Sequence, residues 1–144
     1  MNSVQIFYIV TMLCSAVYGL GTLLANFLLF GKIGEKRWKG LVPILNDYVL
    51  FRHFWTVKAY AAYLITYLIF FASARISAWP AVIVALLVSI VLLIFVIREM
   101  DIISQAFGKG MGYTIGLTWF YPVFGIILAV NKELKEKKEK EEEV

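Results

Sequence analysis

The chain carries one histidine, one cysteine and three prolines in 144 residues. A single histidine, His53, with no second imidazole and a remote thiol leaves no ligand set for a catalytic metal, and no cofactor is expected. Cys14 lies inside the first apolar run and has no partner for an internal disulfide. Between Val4 and Phe30 there is no charged residue, and no Lys or Arg precedes that run. A cleavable signal peptide, which needs a cationic start and a short apolar core, is therefore not expected. No basic face stands clear of apolar sequence, so nucleic acid is not an expected partner.

What is present is hydrocarbon: 61% hydrophobic residues and a mean hydropathy of +0.79. An aqueous core of this size uses under about half, so the expected solvent is a lipid bilayer. A spanning helix needs roughly 20 apolar residues at about 1.5 Å each. Four hydrophobic segments are expected, at 4–30, 56–79, 80–100 and 113–130, in one membrane domain over 1–131. The expected fold is an all-α integral membrane protein of about four transmembrane helices. Residues 132–144 form a charged Lys/Glu tail.

One stretch breaks the pattern. Residues 41–55 are too short to span and hold Pro43 and the Asn46-Asp47 pair, whose polar groups lipid cannot satisfy. An interfacial or re-entrant segment is expected, with Trp38, Tyr48 and Trp55 at headgroup level. Arg98, Glu99 and Asp101 close the third span, and Asp47 and Asp101 are expected to contact cations, Arg52 and Arg98 first. Small residues in the first run, Ala16, Gly19, Gly21 and Ala25, read as a helix-packing face. Gly108, Gly112 and Gly116 recur every four residues and read as a second packing ladder. The last run is interrupted at Pro122 and Gly125, so it either spans or dips and returns. Its proline follows a Gly/Lys loop, as Pro43 does, an echo of the paired broken segments of transporters.

Loops 31–58 and 98–112 carry most of the loop cations, which places them in the cytoplasm. Four spans then put both termini outside, and the lysines of the tail argue the other way.

Three ordered motifs run from Gly34 to Gly125: Gly34, Trp38, Leu41, Pro43, Asn46 and Tyr48; then Asp101, Phe107, Gly108, Lys109, Gly110 and Gly112; then Tyr121, Pro122 and Gly125. In these the chain resembles a family of small polytopic bacterial membrane proteins of unknown function, some of whose members are labelled signal peptidase I. The resemblance implies a multi-pass protein of the bacterial cell membrane. The residues do not support peptidase activity, which needs a Ser nucleophile and a Lys base on an extracytoplasmic domain.

No enzyme activity is expected. Small and aliphatic span surfaces favour an accessory or scaffold subunit of a larger transport or secretion machine, acting by helix–helix binding. The alternative is a small homo-oligomeric transporter or channel, for which Asn26, Thr66, Ser73, Ser89 and Thr118 offer little polar lining. Besides lipid, the expected partner is another membrane protein or further copies of the chain. The functional surface is expected around Trp38–Arg52 and Asp101–Gly112, with Gly116, Tyr121 and Pro122 as further candidates.

Overall fold

A computed structural model describes residues 2–131, and the Lys/Glu tail lies outside them. Among the described residues the chain forms six α-helices and one 3-10 turn, with no strand. They are α1 (Ser3–Lys32), the 3-10 turn Arg37–Leu41, α2 (Pro43–Phe54), α3 (Val57–Ser73), α4 (Trp79–Ala106), α5 (Met111–Trp119) and α6 (Tyr121–Val130). Among the described residues α1 and α4 are the two apolar helices of 18 residues or more, long enough to cross a membrane, and α3 is a shorter apolar helix of 17 residues.

Both long helices end in the same way. After α1, Gly34 takes φ +77° and the Glu35 N–H donates to the Phe30 carbonyl at 2.9 Å. After α4, Gly108 takes φ +69°, while Gly108 and Lys109 donate to Gln105 and Ser104 at 2.9 Å each. This Schellman closure needs a left-handed residue just past the helix, which is why glycine occupies both positions.

From Gly34 the chain turns back along α1. Arg37 lies over the Phe27 ring at 5.7 Å, and Gly40 meets the α1 backbone. A Cβ on Gly40 would stand 2.7 Å from the carbonyl carbon of Asn26, so the approach requires glycine. The segment expected at 41–55 is then helical from Pro43 onward. The proline, in the first turn where no intrahelical donor is needed, starts α2 rather than breaking a helix. α2 packs against α3: Tyr60 donates its hydroxyl to the Ile44 carbonyl at 3.2 Å, and Phe51 stacks on Tyr63 at 5.3 Å. Trp55 stacks on Phe51 at 5.6 Å and lies 6.0 Å from Phe95, while Tyr48 packs edge-on to Tyr60. Tyr48 and Trp55 thus join α2 to α3 and α4, and only Trp38 stands exposed as an interfacial anchor would.

The run at 113–130 is two helices, not one. The chain turns at Phe120, before Pro122 rather than at it, and Pro122 sits in the first turn of α6. α5 and α6 are 9 and 10 residues long, about 15 Å each and half a bilayer core. They fold against each other: Tyr113 donates its hydroxyl to the Phe124 carbonyl at 2.9 Å, and Gly116 makes room for the Phe124 ring. α6 then runs parallel to α1, pairing Gly21 with Pro122 and Ala25 with Gly125. At its end Lys32 Nζ donates to the carbonyls of Leu128 and Asn131.

The glycine ladder is corrected accordingly. Gly108 is a helix cap, Gly112 faces open space, and only Gly116 meets a helix. In the first run Gly21 and Ala25 make contacts, whereas Gly19 has nothing near it. The core lies at one end of the bundle, around Leu29, Phe30, Leu50, Ile103, Phe107 and Leu128. From Val4 to Leu20 every residue is exposed, an apolar surface that fits lipid and not water.

Candidate functional site

Where the two doubled-back segments meet, they enclose a cavity of about 190 Å³. α1 contributes Tyr18, Thr22 and Asn26; α2 contributes Asn46, Asp47 and Leu50. Tyr63 from α3, Val96, Glu99 and Met100 from α4, and Tyr121 from α6 complete it. Its room is that of about six liquid waters. Two carboxyls and two amides line it, and no cationic side chain does.

Helix geometry explains the convergence. Thr22 and Asn26 are four apart and share a face of α1, as Asn46 and Leu50 do on α2. The Gly40 contact sets α2 at the depth of Asn26, and the turn at Phe120 brings Tyr121 to the same level. Tyr121 donates its hydroxyl to Asn26 Oδ1; both side chains are buried. Asn46 and Glu99 are each 7% exposed, and Asn46 Oδ1 and Glu99 Oε1 accept no hydrogen bond. A buried polar atom left unpaired costs about 1–3 kcal/mol, and here two of them line the same cavity.

Asp47 is half-buried in α2 and makes no ion pair among the described residues. Burial pushes its carboxyl up to about 6. It also lines a second, largely apolar groove of about 330 Å³ between α2 and α3, with Tyr60, Tyr63 and Tyr67. Asp47 and Tyr63 line both, so the groove and the cavity share a wall.

The expected Asp47–Arg52 pairing does not occur. Arg52 pairs with Glu35 instead, and Lys39 Nζ approaches the other Glu35 oxygen at 2.8 Å. The Lys39 hydrogen bond holds the Glu35 carboxyl below its usual range, against burial and with help from Arg52. Arg52 lies a turn past Asp47, at the exposed end of α2, and reaches outward while Asp47 faces the interior. The expected Arg98–Asp101 ion pair is present at 3.9 Å, with the Arg98 side chain 62% exposed. Asp101 also accepts from Gln105 Nε2 at 2.8 Å and Thr114 Oγ1 at 3.2 Å, pinning α5 to α4.

The remaining candidates divide by place. Asn46, Asp47 and Tyr121 line the cavity. Trp38 and Pro43 are exposed, Pro43 at the rim of the groove. Phe107, Lys109 and Gly110 belong to the closed end: Lys32 lies 5.2 Å over Phe107, Lys109 5.9 Å over Tyr113, and Ser104 donates its hydroxyl to the Gly110 carbonyl at 3.2 Å. Gly116 and Pro122 are packing positions. Asn26, Tyr63 and Glu99 were not among the expected site residues. The available signal was a lone amide deep in an uncharged run, and a glutamate in the Arg98–Asp101 cluster that lies on the buried face of α4. Among the described residues no cluster of three or more His, Cys, Asp or Glu could hold a metal ion.

Compared with protein-family models, curated proteins and solved structures, the chain matches none.

Proposed function

We propose that this chain is a small homo-oligomeric membrane transport protein that binds its solute in the carboxyl-lined cavity and performs no covalent chemistry. In this reading α1, α3 and α4 span the bilayer, while residues 33–55 and α5–α6 each enter and return on the same side. The observation that carries it is the pair of unpaired buried acceptors, Asn46 Oδ1 and Glu99 Oε1, in the cavity where those segments meet. Protein folds retain such groups where a ligand satisfies them. Doubled-back segments meeting at a polar site are how many transporters hold a solute within the membrane.

This topology supports the cytoplasmic assignment of loops 31–58 and 98–112, because it sends the tail lysines to the same side. The family resemblance, a multi-pass protein of the bacterial cell membrane, accords with it. Accessibility tests the reading. In a Cys14→Ser background, Thr22→Cys should react with a water-soluble thiol reagent applied from the cytoplasmic side. Leu93→Cys, on the exposed face of α4, should not. Equal resistance of both positions would remove the solvated cavity.

A second reading keeps the chain as an accessory subunit docked through its helices. It is favoured by the outer half of α1, residues 4–20, which is exposed throughout. Co-purification of a stoichiometric membrane partner in mild detergent, with no flux by the chain alone, would select it.

A further inference from the structure

The two fully buried polar atoms of the cavity that lack a partner are both acceptors. The Tyr121 hydroxyl is committed to Asn26 Oδ1, and the Thr22 hydroxyl donates to the Tyr18 carbonyl at 2.9 Å. Asn46 Oδ1 and Glu99 Oε1 are left over, nine-tenths buried and unpartnered, with the Asp47 carboxyl beside them. An anion would meet two carboxyls and no cation. A neutral polyol would leave the two carboxyls without a counter-charge. Leu50, Val96 and Met100 make the rest of the wall apolar, which suits a short hydrocarbon chain better than a bare metal ion needing a full oxygen shell.

Resting on the reading of this cavity as a solute site, we propose that its ligand is a small monovalent organic cation bearing N–H donors, an alkylammonium or alkylguanidinium. Glu99 and Asp47 supply the counter-charge, and Asn46 and Glu99 accept the N–H bonds. The cavity volume of about 190 Å³ admits a head group with a chain of a few carbons.

The methionine methyls report on this directly, because the chain has four methionines and only Met100 lines the cavity. The full chain, methyl-labelled at methionine in detergent, is titrated with n-propylammonium, methylguanidinium, potassium and 1-propanol; Met100→Leu identifies the signal. The expected result is a saturable shift of the Met100 methyl with propylammonium or methylguanidinium, and none with potassium or 1-propanol. Glu99→Gln and Asp47→Asn should each weaken the apparent Kd roughly tenfold or more, while a melting temperature close to the parent's shows that the variants are folded. Saturation by potassium or 1-propanol instead would overturn the ligand class and leave the site standing. No shift with any of the four solutes would overturn both.

Discussion

The Nζ of Lys32, at the end of α1, donates to the main-chain carbonyl of Asn131 at 2.9 Å, across 99 positions of sequence. It also donates to Leu128 and lies over the Phe107 ring, so the ends of α1, α4 and α6 are gathered by one ammonium. Cations at helix C-termini are favoured by the carbonyls left unpaired there. The consequence is topological: α6 finishes where α1 finishes.

If α1 crosses the membrane, residues 2 and 131 therefore lie on opposite sides. Reporters fused at the two ends should show the amino terminus outside and the carboxyl terminus in the cytoplasm. Both reporters on one side would restore a fourth span and contradict the hairpin.

Gly40→Leu should disrupt folding, because even its Cβ would stand 2.7 Å from the Asn26 carbonyl carbon, a backbone atom that cannot swing away. Overpacking of this kind costs about 1–3 kcal/mol or more. Gly112→Leu, with nothing within 4 Å, should change stability by no more than about 0.5 kcal/mol. Melting temperatures in one detergent compare the two, and a more damaging change at Gly112 would refute this packing.

The all-helical class and a segment at 41–55 too short to span were legible from run length and punctuation. The shape of the last run was not, since apolar residues continue straight through Phe120 and only the backbone at that residue turns. The glycine ladder failed for a related reason. Spacing by four describes one helix face, and Gly108 lies beyond the end of α4 while Gly112 is in the next helix, α5. Glu99 was legible as a costly charge but not as a cavity residue, because which face of α4 is buried depends on where α2 and α6 come to rest.

Tyr121→Phe removes the hydroxyl that donates to Asn26, whose side chain is fully enclosed. The abandoned acceptor should cost about 1–3 kcal/mol. An Asn26→Leu, Tyr121→Phe double variant should lose less than the sum of the two single changes. Strict additivity in denaturation midpoints would show that the two groups act independently.

Ligand affinity should depend on pH through Asp47, whose carboxyl burial holds near 6. The titratable groups facing it are Tyr60 and Tyr63 from α3, Glu99 from α4 and Tyr121 from α6, none of them a cation. Propylammonium should therefore bind more tightly as pH rises from about 5 to about 7, while the carboxyl ionises and the amine stays charged. The sign for the empty protein is opposite. A carboxyl whose pKa is raised by folding favours the native state while protonated, so this contribution is lost as pH climbs from about 4 toward 6. Asp47→Asn should flatten both profiles, and an unchanged profile in that variant would assign the titration elsewhere.

Uptake of radiolabelled guanidinium into vesicles containing only this chain tests whether the cavity carries a solute across the bilayer. Guanidinium keeps its charge at every accessible pH and so does not leak as a neutral base. Saturable uptake is expected, inhibited by propylammonium and abolished by Glu99→Gln. Uptake equal to that of protein-free vesicles, or unchanged by Glu99→Gln, would contradict it.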